Sequence, residues 1–542
     1  MKQRFSLFFV ACSTISWNLF LNAARVPYCD SFLTCVTIPD DHQDSCFDPD
    51  FFGKPFFCIR PQDSNSALRL TKIASEDHTK PWGIDLSLGA QQSFARKNNL
   101  LAQWFLFNGC GTVTVGIAND LRAFTVDGSQ LGLLTTDGTT GPLGTLSLNP
   151  TLKNGIIVAN AWFDLSTYVC GLWLRTYLTI VHTKTDLGMR ACTENTSKSD
   201  SYPEGVYTTD CNEAPIQYSS ICSAFMGNRA FGKIPDLKYA KFSSNSRTKT
   251  AVASIRTDLN YDVIQSTHGF FNCGGCLVLP TGNKPQGRYL FEPIVGANCS
   301  WQVGGTLLAA YHCLENSEKN SLDVYVDATV TYLSKSKQTR VFSLKNNDAG
   351  SQYLLLKVFD LSVGSVLEGE RAANIFAGQA HIGGNGMLDG SLMIHFERCN
   401  GFSCDIGYNL WARSKENIAD TACLRKFTEN TYGVKGNLPL TTIDAFSELC
   451  IGDLTTASNS TLGSPALPDE TTKVIEVCDI DFNAPLHPST FSNKLFACMG
   501  YSHYLCRTDS NIRLFVEGEV EIGQKNKALN QWAFTLNVAV SL

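Results

Sequence analysis

The chain ends on the stretch Trp532-Ala-Phe-Thr-Leu-Asn-Val-Ala-Val540, which has the pattern of a single β-strand. Apolar residues recur there with the period of two that an extended chain imposes. Other segments show the same alternation or compact apolar runs, bounded by Gly, Asn, Asp or Pro. Examples are Gly111–Val115, Gly155–Ala159, Gly171–Val181, Leu322–Val330 and Ile512–Val520. Because helical periodicity is weak and brief throughout, the sequence predicts an all-β protein.

Composition limits the classes of protein that fit. The chain has 542 residues, of which 44% are hydrophobic and 17% charged, with a formal net charge of −6. The length favours two to four domains, and the apolar content is sufficient to bury their cores. No long run of Lys and Arg occurs, so any contact with nucleic acid must be diffuse and made by scattered side chains.

The cysteines and the N-terminus leave the cellular compartment open. The 21 cysteines are scattered singly, which favours buried thiols over a disulfide framework. Lys2 and Arg4 precede the apolar run Phe5–Ala11, and the small residues Ala23-Ala24 follow, which resembles a secretory signal peptide. No later stretch reaches the apolar length of a membrane span, so no span is expected. Glycosylation sequons that fit secretion begin at Asn195, Asn298 and Asn459.

An internal repeat suggests how the strands are grouped. Ile84-Asp85-Leu86-Ser87-Leu88-Gly89 has a close echo in Phe359-Asp360-Leu361-Ser362-Val363-Gly364. An aromatic stretch and a Gly-led strand follow each copy, and a weaker third copy lies within Thr257–Leu279. The recurring Asp85 and Asp360 indicate a capping or turn role at a strand end. A strand, a crossing segment and a further strand open an eight-stranded jelly roll, so the repeat predicts three tandem jelly-roll β-sandwich domains.

The predicted domain boundaries follow from this repeat. Residues 1–65 form an N-terminal arm or signal-like segment, and residues 66–195 form the first jelly roll. Residues 196–340 hold a linker and the second jelly roll, and residues 341–542 form the third. The stretch from Glu194 to Ser246 and the segment Lys335–Arg340 are the expected linkers, and Thr455–Thr472 is expected to be a surface loop.

Three stretches carry a resemblance to a known family. They are Val358-Phe-Asp-Leu-Ser, Phe376-Ala-Gly and Met387-Leu-Asp-Gly-Ser-Leu-Met-Ile-His-Phe. Together they resemble the opening of a jelly roll in picorna-like capsid proteins, and most of all the large coat protein of nepoviruses, in the plant secovirus family. The resemblance extends roughly over Leu68–Leu542.

The resemblance implies a viral capsid protein, a structural molecule and not an enzyme. Sixty copies would form an icosahedral shell of pseudo-T=3 type around positive-sense single-stranded RNA. The implied partners are further copies of the chain, the genomic RNA, and a vector or host movement protein. The implied locations are the virion and the host cytoplasm.

One short stretch is a candidate for contact with that RNA. Cationic side chains would neutralise phosphates there, and aromatic side chains would stack on bases. A solvated linker is the alternative, and we favour it. The candidate residues are Lys238, Tyr239, Lys241, Arg247 and Lys249.

Other candidate sites are weaker. Cys273-Gly-Gly-Cys276 has the spacing of a zinc knuckle, but no second pair of similar spacing follows. His381 and His395 have no convincing partner in the sequence, and no catalytic motif occurs. We therefore predict no catalytic residue, no cofactor and no metal. Two alternatives to the capsid remain open: a secreted, disulfide-bonded, glycosylated β-sandwich adhesin or surface protein, and a secreted glycan-active enzyme on a jelly-roll scaffold.

Overall fold

The structure is a computed structural model of the 542-residue chain. The residues it describes belong to one compact unit, residues 47–542. They are residues 53–57, 60–62, 84–106, 110–116, 125–133, 143–192, 207, 218–315, 320–345, 349–360, 365–419, 424, 426–429, 431–435, 475–505, 510–524 and 527–541. The signal-like segment and the Thr455–Thr472 loop expected from the sequence lie outside these ranges.

Twelve long strands form a closed antiparallel β-barrel. Each strand has at least 11 residues, which is the length that a tilted strand needs to cross a bilayer. Their bounds are β1 Ile84–Ala95, β5 Thr151–Asp164, β6 Leu172–Asp186, β8 Arg247–Ser266, β9 Gly269–Leu279, β10 Gln302–Glu315, β11 Ser321–Leu333, β17 Asn385–Glu397, β18 Phe402–Arg413, β22 Thr490–Leu505, β23 Ser510–Gly523 and β24 Gln531–Ser541.

The barrel has up-and-down topology, since each strand pairs with the next barrel strand along the chain. The first and last strands close the wall, with Asp85 opposite Ser541 and Ala95 opposite Gln531. The stretch Trp532–Val540 is therefore a strand, as its alternation predicts, and it seals the barrel between β23 and β1. Closure leaves this sheet with no unpaired edge.

The two ends of the barrel differ in their connections. At one end, which we call the turn end, the connections 165–171, 267–268, 316–320, 398–401 and 506–509 have two to seven residues. At the other, the loop end, the connections 96–150, 187–246, 280–301, 334–384, 414–489 and 524–530 have up to 76 residues. Because the strands alternate in direction, all the long insertions gather at one mouth of the barrel.

These insertions fold into a second region at the loop end, which we call the head: the described residues of 96–150, 187–246, 280–301, 334–384 and 414–489. Its helices are α1 Asn98–Phe105, α2 Gly128–Leu131, α3 Ile221–Met226 and α4 Ala372–Phe376, with 3-10 turns at Ala349–Tyr353 and Val477–Asp479. Its strands are β2 Thr112–Gly116, β3 Thr125–Asp127, β4 Gly144–Ser147, β7 Arg190–Cys192, β12 Ser336–Val341, β13 Ser343–Leu344, β14 Leu355–Asp360, β15 Ser365–Arg371, β16 Ala377–Gly383, β19 Asn417–Ile418, β20 Tyr432–Val434 and β21 Ile480–Asp481. A further 3-10 turn, Lys527–Leu529, joins β23 to β24.

The head has the interior of an ordinary globular domain. Phe225 of α3 is fully buried, with its ring 4.8 Å from that of Phe242 and 5.6 Å from that of Tyr353. The helix begins with a reciprocal cap between Ser220 and Ser223. It ends at Gly227, whose φ of 56° favours glycine and lets the chain turn back along Leu237. Apolar burial of this kind holds the head together.

In the barrel wall the apolar side chains face outward and the polar side chains face inward, the reverse of the head. In β24 the side chains of Phe534, Leu536 and Val538 point outward, and each is at least 41% exposed. Thr535 and Asn537, between them, point inward and are at most 2% exposed. The other strands repeat this arrangement, so the outer surface of the barrel is a band of Leu, Ile, Val and aromatic residues. Outward members of that band include Leu86, Leu88, Ile157, Leu178, Ile180, Leu259, Leu277, Val303, Leu307, Val326, Val330, Leu392, Ile394, Ile406, Leu495, Met499, Ile512, Leu514 and Val520.

The fold predicted from the sequence is wrong in its architecture. The protein is all-β, but its main sheet is one closed barrel and not three tandem jelly-roll sandwiches. The wall takes strands from each of the segments 66–195, 196–340 and 341–542, so none of them is a jelly roll. The residue numbers at which the domains were divided stay a prediction.

The internal repeat that suggested jelly rolls joins two unlike elements. Ile84–Gly89 lies in the barrel strand β1, whereas Phe359 and Asp360 end the short head strand β14. Leu361–Gly364 lie outside the described residues. Of the expected linkers, Lys335–Arg340 lies mostly in the head strand β12, and the end of the Glu194–Ser246 stretch carries α3 and the buried Phe242.

Candidate functional site in the barrel lumen

The inner face of the barrel is lined with charged and polar side chains that pair with one another. Near the turn end, the Arg513 Nη2 atom lies 2.8 Å from Oδ2 of Asp85, which also accepts a hydrogen bond of 2.8 Å from Ser541. Asp85 therefore links the first and last strands of the barrel, and the capping or turn role expected for it at a strand end stays a prediction. Charged side chains that are buried away from water are typically paired in this way.

Three further inward pairs line the lumen. His395 Nδ1 lies 2.5 Å from Asp405 Oδ1 on the neighbouring strand, so His395 does have a partner, which its isolation in the sequence concealed. His312 Nδ1 lies 2.8 Å from Asp323 Oδ1. Arg256 donates to Asp258 at 2.7 Å, within β8. All of these contacts lie on the lumen side of the wall.

An apolar layer crosses the lumen between these pairs. Its members are inward-facing side chains of β5, β6, β10, β11, β17 and β22, which contact one another across the barrel. The Phe496 ring has room because the facing position on β18 is Gly407, which has no side chain. The layer narrows this part of the lumen. Its residues are Trp162, Trp173, Leu308, Ala310, Tyr325, Met393 and Phe496.

A segment that belongs to no barrel strand lies in the loop-end half of the lumen. We call it the inner segment, and it comprises residues 53–57 and 60–62. Gly53 and Lys54 donate backbone hydrogen bonds to α1 and the residue after it, and Phe57 packs edge-on against Trp104 at 5.9 Å. The apolar part of the segment is therefore anchored in the head.

Arg60 of the inner segment reaches the wall of the lumen. Its guanidinium group forms an ion pair with Glu521 of β23 and lies 3.7 Å from Asp389 of β17. It also donates to Asn409 Oδ1 at 3.4 Å and lies 5.2 Å from the centre of the Trp411 ring. Residues of three barrel strands thus surround one cation, and that cation belongs to the inner segment.

Gln62 makes a second, weaker set of contacts. Its amide nitrogen donates to Asn154 Oδ1 at 3.5 Å and to Thr183 Oγ1 at 3.3 Å, and its amide oxygen accepts from the Gly296 backbone at 3.2 Å. A cavity of about 90 Å³ lies between the inner segment and the wall. Among its lining residues are Arg60, Gln62, Gln91, Asn154, Lys494 and Glu519.

The junction between barrel and head contains a buried carboxylate. Glu416 accepts from Arg413 at 2.8 Å, from the His487 backbone at 3.0 Å and from Arg340 at 3.4 Å. Burial by itself would raise the pKa of Glu416, but the two guanidinium groups and the His487 N–H outweigh it and lower the pKa to about 2. Burial and the nearby cations hold the pKa of His487 well below its usual 6.5.

The residues predicted to contact RNA lie together on the head and at the start of β8. Lys241 lies 3.8 Å from Asp236, and Tyr239 packs partly against the head core. Arg247 lies 3.1 Å from the centre of the Tyr289 ring, while Lys238 and Lys249 are exposed. Their contact with RNA stays a prediction.

The cysteine motif does not form a zinc-type pair. Cys273 and Cys276 both lie on β9, but Cys273 is exposed on the outside of the wall and Cys276 is buried on the inside. Within the described ranges, no group of three or more His, Cys, Asp or Glu side chains is placed to hold a metal ion. Of the twelve cysteines described, only Cys276 and Cys498 are buried.

Sequence reasoning missed Arg60 and its partners because they are far apart in the chain. Arg60, Asp389, Asn409 and Glu521 come together only when the barrel closes. One signal was available: Glu517, Glu519 and Glu521 alternate with apolar residues in Val516–Ile522, in a strand whose other face is apolar. Three charges on one face of such a strand indicate a polar interior.

Comparison with known proteins does not assign the chain to a family. No protein-family model matches the sequence, and no curated protein matches it. Similar solved structures include an outer membrane channel from Pseudomonas putida F1, with 11% identity, a TM-score of 0.34, and coverage of 85% of this chain and 96% of that one. The transport unit of the autotransporter AIDA-I from Escherichia coli has 8% identity, a TM-score of 0.28, and coverage of 89% and 99%. A FadL homologue from Pseudomonas aeruginosa has 6% identity, a TM-score of 0.25, and coverage of 85% and 89%.

These likenesses are too low to carry an argument. The closed barrel itself overturns the nepovirus resemblance, because that resemblance rested on jelly rolls that the chain does not form. The predictions that depended on that resemblance are therefore wrong as well. They are the capsid function, the shell of identical copies, the genomic RNA, the vector or movement-protein partners, and the virion or cytoplasmic location. The secreted β-sandwich adhesin is likewise unsupported. Among the described residues no helix is long and apolar enough to cross a membrane.

Proposed function

We propose that the chain is an integral membrane β-barrel whose lumen is a passage for small polar solutes, held closed in this structure by the inner segment. The observation that carries the proposal is the reversed polarity of the wall. Exposure of each outward apolar side chain of β24 to water would cost free energy, and exposure of each inward charge of the wall to lipid would cost more. Both costs disappear if lipid surrounds the barrel.

The distribution of outward side chains supports a lipid belt. Phe94 and Trp532 stack at 4.7 Å near the loop end of their strands, where Lys153 and Lys184 also point outward. Phe163 and Phe396 lie near the turn end. Aromatic residues at both edges of an aliphatic band are typical of barrels that cross a membrane. The earlier expectation of no membrane span failed because a strand that alternates contains no long apolar run.

The lumen supports a passage. Its charged residues lie on the wall, where they would line a path if the inner segment left. Arg60 of that segment neutralises carboxylates of the wall. Removal of the inner segment would therefore open the loop-end half of the lumen. The apolar layer around Phe496 would set the narrowest point. We also propose that the chain is not an enzyme, which stays a prediction.

Two measurements test the two parts of this proposal. For the membrane part, the protein is reconstituted in vesicles that contain brominated lipid, and its tryptophan fluorescence is compared with that of Trp532→Phe. We expect quenching in the native protein and less of it in the variant, because Trp532 is 45% exposed on the outer wall. Equal fluorescence with and without brominated lipid would overturn the membrane location.

For the passage, ion conductance across planar bilayers is compared between the native chain and a chain that lacks residues 53–62. We expect discrete conductance steps from the shortened chain and few from the native one. Phe57→Ala is the matched control, since it loosens the contact with the head but keeps Arg60 in the lumen. Silence of both the shortened chain and the native chain would exclude a passage.

An anchor for the head is the second candidate. All the long insertions fold at one end of the barrel, and they contain their own apolar cores. A barrel that inserts into vesicles but conducts in no variant would favour this function.

A further inference from the structure

We propose that four residues of the wall form a binding site for small guanidinium cations, and that Arg60 of the chain's own inner segment fills this site in the closed state. We call the four residues the cation cage: Asp389, Asn409, Trp411 and Glu521. The inference rests on the proposed function, because it names the class of solute that the open lumen would hold.

The cage supplies each kind of contact that a guanidinium group makes. Glu521 pairs with one terminal nitrogen of Arg60, and Asn409 Oδ1 lies 3.4 Å from the other. Asp389 Oδ2 lies 3.7 Å from that second nitrogen. The Trp411 ring lies 5.2 Å from the central carbon, within the range of cation–π attraction.

The cage is held in place by contacts that do not involve Arg60. Glu521 accepts hydrogen bonds from Ser492 at 2.6 Å and from Gln531 at 2.5 Å. Asn409 donates to Asp389 at 2.6 Å and to Ser391 at 3.0 Å. All of these residues lie on barrel strands, and Glu521, Asn409 and Trp411 are at most 1% exposed. The site is therefore preformed, which lowers the entropic cost of binding.

The charge balance favours an occupant. The Lys494 ammonium group lies 2.9 Å from Glu519 and also attracts Glu521, so without Arg60 it would be shared between these two carboxylates. If Arg60 left, Glu521 and Asp389 would lose the cation between them. Buried carboxylates without a counter-charge are strongly disfavoured, so a soluble cation of matching shape would replace it.

The geometry selects guanidinium over ammonium. A planar guanidinium group offers donors in several directions in its plane while its face lies on an aromatic ring, whereas an ammonium group is a compact, strongly hydrated charge. The cavity of about 90 Å³ beside Arg60 and Gln62 lies next to the cage. Small guanidinium cations are therefore the class of ligand that fits.

Chemical rescue tests the site. The thermal midpoint of Arg60→Ala, reconstituted in vesicles, is measured with increasing methylguanidinium and, separately, methylammonium. We expect the variant to melt below the native protein, and methylguanidinium to restore its midpoint saturably, with an apparent affinity at least about tenfold above that of methylammonium. The native midpoint should not rise, because Arg60 occupies the cage.

Two variants guard the interpretation. Gln62→Ala loses neighbouring contacts of the same segment but leaves Arg60 in place, so methylguanidinium should not raise its midpoint. Arg60→Ala combined with Asp389→Asn should lose the rescue. If Arg60→Ala does not fold, Arg60→Gln provides a variant of similar length for the same titration. Rescue of equal strength by both cations, or by neither, would overturn the guanidinium site.

Conductance of the same Arg60→Ala protein separates this inference from the proposed function. Rescue without conductance in any variant would support the site and refute the passage. Conductance that methylguanidinium leaves unblocked, together with no thermal rescue, would refute the site and support the passage.

Discussion

The barrel and the head are built from one chain with opposite rules for where apolar side chains go. Phe225 of the head is fully buried, whereas Phe534 of the barrel is 50% exposed on the outer wall. Glu521 of the barrel is 1% exposed in the lumen, beside an arginine. The difference is what the proposed function explains: in that proposal the head faces water and the barrel wall faces lipid.

The largest expected difference concerns the same residue type in the two regions. Phe225→Ala should destabilise the head by roughly 3–5 kcal/mol, because it leaves a cavity beside Phe242 and Tyr353. Phe534→Ala should cost less, about 1.5–3 kcal/mol, because it loses the transfer of the ring from water to lipid but leaves no cavity that acyl chains cannot fill. Urea unfolding of the reconstituted protein, followed by circular dichroism, measures both. Similar costs for the two variants would mean that protein, and not lipid, covers the outer wall.

The junction of the two regions should depend on pH. The pKa of Glu416 is about 2 in the folded protein against its usual 4.5, so Glu416 stabilises the fold fully above pH 4.5. That contribution is lost as the pH falls from 4.5 towards 2, and it amounts to roughly 3 kcal/mol.

The free energy of unfolding of the native protein, measured against that of Glu416→Gln at each pH, isolates this contribution. The difference should be constant above pH 4.5 and shrink below it. A difference that stays the same down to pH 2 would show that the guanidinium groups of Arg340 and Arg413 do not stabilise this carboxylate.

Charges on the outer wall should be costly in the middle of a strand and tolerated at its end. Leu88→Arg, near the middle of β1, should destabilise the inserted barrel by about 2–4 kcal/mol, while Ile84→Arg, at the turn end of the same strand, should cost about 0–1 kcal/mol. Folding into vesicles, monitored by the electrophoretic shift between folded and heated protein, gives both values. If Leu88→Arg costs no more than Ile84→Arg, the band does not face lipid.

The smallest effect concerns two glycines of the wall. Gly407→Ala places a methyl group against the Phe496 ring in the lumen and should cost about 1–3 kcal/mol through overpacking. Gly518→Ala places the same group on the outer face, where no atom lies within 4 Å, and should change stability by under about 0.5 kcal/mol. Urea unfolding compares the two. Equal costs would mean that the apolar layer is loose enough to absorb a methyl group.

Part of this structure was predictable from local sequence. The alternation in Trp532–Val540 and Ile512–Val520 predicts strands, and the structure places β24 and β23 there. The same alternation was compatible with a sandwich, because a sandwich and a barrel both present one apolar and one polar face. The prediction of three domains is wrong because the short echo between Ile84–Gly89 and Phe359–Gly364 does not mark a repeat of whole domains.

The candidate site was not predictable from local sequence. Arg60 stands between Ile59 and Pro61 in the sequence, and no local pattern ties it to Asp389 or Glu521. His395 was set aside for lack of a partner, yet Asp405 lies opposite it on the next strand. Contacts between distant segments follow from strand register, which the sequence specifies only through the packing of the finished wall.

The sequence by itself determined that the chain forms strands, because the period of two is a property of the extended backbone. It also placed the apolar and polar faces of each strand. Only the tertiary structure decided which face is inside, since that depends on how the strands close and on what surrounds them. Once Asp85 meets Ser541 the wall is complete, and in the closed barrel the polar face of each strand lines the lumen while the apolar face forms the outer surface.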